Sequence, residues 1–174
     1  HSRVGDVLYV NSRKGGDNKE LLEKIEFEKC NIASDNKIFD KLRDYQKYGV
    51  KWLLYMYKNK MGCCLADDMG LGKTVQIISF LSDRSIRSDR CSIVIVPKTL
   101  IYNWKREILK FNPELKINIY HGKNRRINDA VDIVLTTYGT LIHDVTILSK
   151  EKYNCVIMDE CQYAKNDKSL TYSC

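Results

Sequence analysis

Proline is scarce in this 174-residue chain, at two residues, and no apolar run approaches the ~20 residues that cross a bilayer. The opening stretch HSRVGDVLYV has no signal-peptide core. Neither a membrane span nor a secreted chain is therefore expected. The seven cysteines lack a pattern: the number is odd, Cys63 and Cys64 are adjacent, and no C-x-x-C pair occurs. That supplies neither a disulfide framework nor zinc-ligand spacing. The three histidines (His1, His121, His143) are scattered, so no Cys/His metal site is expected. The cysteines read as small buried hydrophobes in a reducing compartment.

What is present is a globular composition, 44% hydrophobic and 29% charged, of a length that suits one medium domain. The formal charge of +7 leaves nucleic acid open as a partner, although basic solubility charge explains it equally well. The chain begins His-Ser and stops at Thr-Tyr-Ser-Cys within a polar stretch, so it reads as a piece of a longer protein.

Residues 1–39 read as a lead-in or docking segment, with Val7–Val10 compatible with a short strand and Gly15-Gly16 in a loop. From Leu42 the pattern sharpens. Leu42, Tyr45, Gly49, Leu53 and Met56 recur at helical spacing, predicting an amphipathic helix to about Asn59. Strands are predicted at Cys63–Ala66, Ser92–Val96, Lys116–Tyr120, Asp132–Thr136 and Asn154–Met158. Helices are predicted over Thr74–Leu81 and from Leu100 to the Asn112-Pro113 stop. Strands alternating with helices predict an α/β fold with a mainly parallel sheet covered on both faces.

The most specific stretch is Asp67-Asp68-Met69-Gly70-Leu71-Gly72-Lys73-Thr74, set between a strand and a helix as a phosphate-binding loop requires. Glycines at 70 and 72 let backbone N–H groups curl around phosphate oxygens, and the helix N-terminus adds its positive end. Lys73 would neutralise the β/γ-phosphates and the Thr74 hydroxyl would ligate Mg²⁺. The general pattern begins with Gly, and this chain has Asp67 there. A second constellation, Cys155-Val156-Ile157-Met158-Asp159-Glu160, delivers two carboxylates at a strand end, where open α/β sheets bind ligands. Asp159 would face the metal and Glu160 the attacking water.

With these residues in place, the chain resembles the SWI/SNF-type DNA translocases and chromatin remodellers of helicase superfamily two. Leu42-Arg43-Asp44-Tyr45-Gln46 with Gly49 and Trp52-Leu53 resembles the adenine-sensing Q motif. The loop DDMGLGKT matches that family's Walker A motif, the leading Asp included. Ile93–Val96 with Pro97, Leu100, Trp104 and Glu107 is similar to motif Ia, and Asp132–Gly139 to motif Ib. Asp159-Glu160-Cys161-Gln162 with Lys165-Asn166 resembles motif II, the DEAH-type box, with Cys161 and Gln162 where Ala or Gly and His are commoner.

The resemblance implies that residues 40–174 form a first RecA-like ATP-binding lobe, truncated after motif II. It implies ATP and Mg²⁺ as cofactors, and double-stranded DNA and a second RecA-like lobe with transition-state arginines as partners. It also implies hydrolysis coupled to translocation on duplex DNA or to remodelling of protein–DNA complexes. Gln46 would select adenine, and Asp67, Asp68, Met69, Gly70, Leu71, Gly72, Lys73 and Thr74 would cradle the nucleotide. Lys73, Asp159 and Glu160 would be catalytic. Lys98, Thr136 and Tyr138 become candidates for DNA phosphate contact. Arg125 and Arg126 read equally as solvated loop or DNA contact, and Trp52 and Trp104 as core. The location would be nuclear in a eukaryote, and cytoplasmic or nucleoid-associated in a bacterium. Two alternatives stand beside this reading: an RNA-directed helicase lobe of the same superfamily, and a non-catalytic nucleotide-binding module that switches a partner protein. With motif III missing, a raw sheet edge is expected beside Asn154–Met158.

Overall fold

The computed structural model describes the backbone of residues 7–10 and residues 30–65, 72–86, 88–128 and 130–161. In chain order these form β1 (Val7–Val10), α1 (Lys37–Asp40), α2 (Asp44–Lys58), β2 (Cys63–Leu65), α3 (Lys73–Ser82) and β3 (Ser92–Val96). There follow α4 (Ile101–Phe111), β4 (Ile117–Tyr120), β5 (Ile133–Thr137), α5 (Tyr138–His143), α6 (Val145–Leu148) and β6 (Val156–Asp159). The strands make one six-stranded sheet in the order β2-β1-β6-β3-β5-β4, with every pairing parallel. The α/β expectation thus holds, and its strand ends move by one or two residues.

Strand pleating separates two cores. Val94, Val96, Ile133, Leu135 and Ile157 face one side, where they pack with Leu53 and Leu54 of α2, Ile77, Ile78 and Phe80 of α3, and Trp104 and Ile108 of α4. Their neighbours Ile93, Ile95 and Val134 face the other side, against Tyr138, Leu141 and Leu148. Both faces are therefore covered, which explains why β3 and β5 read as unbroken apolar runs.

Two expectations change. Val7–Val10 was placed in a lead-in, yet it is an interior strand, paired with β2 and with β6. The boundary at residue 39 therefore does not hold for this strand. Nor is β6 a raw edge, since β1 lies on one side of it and β3 on the other. Nearer the boundary, residues 33–36 pack on α3 and its C-cap: the Asn36 amide donates to the Ser79 carbonyl at 3.0 Å, and the Ala33 N–H donates to Asp83. The helical stripe also shifts. The buried positions of α2 are Gly49, Val50, Leu53 and Leu54, while Tyr45 is exposed. Gly49 is needed for close approach, because a Cβ there would lie 2.0 Å from Oε1 of buried Gln76 on α3. Cys63 and Cys155 are buried as the cysteine reading expects, whereas Cys64 is exposed. Burial pushes the Cys63 thiol up to about 12, leaving it inert at neutral pH.

Candidate nucleotide site and basic cleft

At the C-terminal edge of the sheet, Gly72 closes the phosphate-loop stretch in a left-handed conformation (φ +77°) as the N-cap of α3. A side chain is doubly unwelcome there. The conformation is strained for any Cβ, and one at Gly72 would lie 2.4 Å from Nε2 of Gln46. Gln46, a full loop away in sequence, is thereby packed against the end of the phosphate loop. Its Oε1 accepts from the Arg43 N–H at 3.0 Å, which is half of a capping box at the start of α2. Asp67, Asp68, Met69, Gly70 and Leu71 lie outside the described residues, as do Gln162, Lys165 and Asn166. Lys73 and Thr74 open α3, where the helix dipole favours an anion.

Asp159 ends β6. The pleat puts its side chain on the face of Ile157, beneath α4. There the Trp104 indole N–H donates to Asp159 Oδ2 at 2.8 Å in a buried contact. Burial pushes the Asp159 carboxyl up and the neighbouring Glu160 charge adds to this, while the indole bond and the attraction of the Lys73 ammonium pull it down. Because β2, β1 and β6 run parallel, the start of α3 after β2 and the end of β6 lie at the same edge of the sheet, although Lys73 and Asp159 are far apart in sequence. Glu160 follows with φ +53°, a left-handed turn that a non-glycine residue adopts at a cost of order 1–3 kcal/mol. Such strain clusters at working sites, and here it swings the chain away directly after the carboxylate.

The donor set fits Mg²⁺. Asp159 is a buried carboxylate with one oxygen already bonded to the Trp104 indole, and Thr74 is a hydroxyl next to Lys73 at the head of α3. Hard oxygen ligands of this kind suit Mg²⁺.

Next to this site, the ends of β3, β4 and β5 open a cleft of about 740 Å³. Lys98 and Thr99 form one wall, Thr137, Gly139 and Thr140 another, and His121, Lys123 and His143 add cationic or titratable edges. Lys98 is exposed in it, as a phosphate-contact candidate must be.

The other two DNA candidates are not available. Thr136 is 0% exposed, because β5 is an interior strand, and its hydroxyl donates to the Tyr120 carbonyl at 2.9 Å. Tyr138 is buried too, and its hydroxyl donates to the Asp159 carbonyl at 2.7 Å. Arg125 lines the cleft with its guanidinium already engaged: it pairs with Asp144 through Nε and Nη2 and lies over the Tyr120 ring. Arg126 is exposed. Trp104 is core as expected, but its polar edge is the unforeseen partner of Asp159.

Asp144 sits among Arg125, His143 and Tyr120, all hydrogen-bonded to its carboxylate. The Arg125 bonds come first among the causes that hold it well below the usual carboxylate range. A depressed folded-state pKa gives stability that is complete above the unfolded value of about 3.9 and is lost as the pH falls below it. Asp144→Asn is therefore expected to flatten the acid side of the profile. Urea midpoints measured from pH 7 to pH 3 should fall less steeply in the variant than in the parent. Parallel profiles would contradict the assignment.

The SNF2-related domain family matches residues 45–174, from the start of α2 onward. The chain belongs to the SNF2-related family. This SNF2-related chain is 40% identical over 146 residues to the ATP-dependent helicase FUN30 of Saccharomyces cerevisiae, covering 76% of the chain and 13% of that protein. It is 38% identical over 175 residues to the uncharacterized ATP-dependent helicase MG018 of Mycoplasma genitalium, covering 97% of the chain and 17% of that protein. Among solved structures, the Sulfolobus solfataricus SWI2/SNF2 ATPase core in complex with dsDNA aligns with a TM-score of 0.66 and 38% identity. That alignment covers 78% of this chain and 28% of that one. The SNF2-related chain thus spans less than a fifth of the length of these curated relatives. No described helix is long and apolar enough to cross a membrane.

Proposed function

We propose that the chain is the ATP-binding lobe of a DNA-dependent ATPase that, in the full-length protein, couples hydrolysis to movement along duplex DNA or to remodelling of protein–DNA complexes. One observation carries the reading: Lys73 at the head of α3 and Asp159 at the end of β6 stand at the same edge of one parallel sheet, which also opens a cleft edged with cations. Lys73 neutralises charge on the β/γ-phosphates, and the N-terminus of α3 offers its positive end to the same oxygens. Gln46, packed on Gly72, presents its amide to adenine. Thr74 and Asp159 hold Mg²⁺, which when bound would supply charge stabilisation on the phosphoryl oxygens. Glu160 orients the attacking water. Arginines from a second lobe complete the charge around the transferred phosphoryl group.

The cleft receives the DNA backbone through Lys98 and Lys123, a reading supported by the duplex carried by the Sulfolobus neighbour. Contacts of this kind read phosphate and not base identity. Duplex binding is therefore expected to be indifferent to sequence and steep in salt. Two phosphate contacts would weaken it roughly 12-fold between 50 and 200 mM salt, and Lys98→Ala would lower the log–log slope by about one. Fluorescence anisotropy with two unrelated duplexes tests this. Preference for one base sequence, or an affinity flat across salt, would overturn the cleft assignment.

A further inference from the structure

Asp159 is held twice. Its carboxylate accepts from Trp104 and its backbone carbonyl accepts from Tyr138, both in buried contacts. The second bond has a clear geometric origin. β3 pairs with β6 only as far as Ile95 opposite Met158, so on that side the Asp159 carbonyl lies beyond the ladder and the Tyr138 hydroxyl meets it there.

The two donors come from the two elements that open from the cleft. Trp104 lies in the first turns of α4, which continues directly from Pro97, Lys98 and Thr99 on one wall. Tyr138 is the first residue of α5 and itself lines the cleft, where Thr137 caps the helix by accepting from the Thr140 N–H. Both rings are packed in different cores, one on each face of the sheet. Neither wall can shift without moving a donor to the same residue, because close-packed interiors transmit displacement.

We propose that Trp104 and Tyr138 are positioning residues that tie the metal-binding carboxylate to the walls of the basic cleft, so that duplex DNA in the cleft and Mg²⁺·nucleotide at Asp159 strengthen each other's binding. The inference rests on the functional reading above and names the route between its two sites. Outer bonds of this type orient a metal ligand, and their loss typically costs 10–100-fold in metal affinity. Linkage requires the coupling to be reciprocal.

The test uses full-length protein with a non-hydrolysable ATP analogue and a short duplex. Trp104→Phe and Tyr138→Phe remove the donors and keep an aromatic ring at each position. In the parent, duplex DNA should tighten Mg²⁺·nucleotide binding by a factor within the roughly 5–150-fold range of allosteric couplings, and Mg²⁺·nucleotide should tighten duplex binding equally. Each variant should lose most of that factor. The far-UV circular dichroism of each variant should match that of the parent, which a general loss of structure would not allow. Variants that keep the parent coupling overturn the proposal. A parent-only measurement covers the case of poor folding. Duplex added without nucleotide should slow deuterium exchange in the peptide spanning residues 155–161, and unchanged exchange there overturns it too. A duplex that binds without any coupling removes this inference alone, whereas no duplex binding at any salt removes the functional reading beneath it.

Discussion

Replacing Lys73 by alanine is expected to abolish the thermal stabilisation that ATP confers. A ligand that binds only the folded state stabilises it by about 2.7 kcal/mol at 100 times its Kd, and for a domain of this size that is roughly 5–11 °C. Lys73 stands at the first position of α3, beside a left-handed glycine. The β- and γ-phosphates would carry the largest charge in the site, and the lysine is a point cation aimed at them. Without nucleotide the variant should lose little, since Lys73 is partly exposed and substitutions outside the core usually change stability by no more than about 0.5 kcal/mol. The measurement is a melting curve of each protein with and without ATP. Equal shifts in parent and variant would remove the phosphate-loop assignment.

Trp104→Ala should be the most destabilising single substitution considered for this chain. The indole is 1% exposed, fills the core between α4 and the sheet, and bonds the buried Asp159 carboxylate. Truncating a buried Trp costs about 3–5 kcal/mol through lost burial and the cavity left behind. The stranded carboxylate adds its own desolvation cost. Against a typical total of about 5–15 kcal/mol, melting should fall by roughly 6–20 °C. Trp104→Phe keeps most of the volume, so its melting point should lie far closer to the parent. Equal melting points for the two variants would contradict the packing described.

How far these features were legible depends on whether their causes were local. Ser92–Val96 read as a buried strand because a parallel strand covered on both faces must be apolar throughout, and its bounds are reproduced to the residue. The phosphate-loop and Asp-Glu stretches were legible because each packs its chemistry into a few consecutive residues. Tyr138–His143 escaped as a helix since YGTLIH has weak helix formers and no apolar period, and it is initiated by a Thr137 cap. Thr136 and Tyr138 looked available for DNA because hydroxyls near a strand end ordinarily are. Only the sheet order, which puts β5 between β3 and β4, shows why Thr136 is sealed. Val7–Val10 is four residues long, too short for periodicity to separate an interior strand from a lead-in. Trp104 displayed its apolar face in the helical stripe, but the target of its N–H lies 55 residues away and no local pattern encodes it.

Steady-state ATP turnover of the full-length protein with duplex DNA, with RNA and with neither tests the central claim most directly. The 174-residue chain alone should turn over about 10³-fold or more slowly, since arginines supplied by a second lobe are worth roughly 10³–10⁵ in rate. For the full-length protein, the account predicts turnover that duplex DNA raises several-fold and RNA does not. Turnover unchanged by duplex DNA, stimulation by RNA in its place, or no hydrolysis under any condition would contradict it.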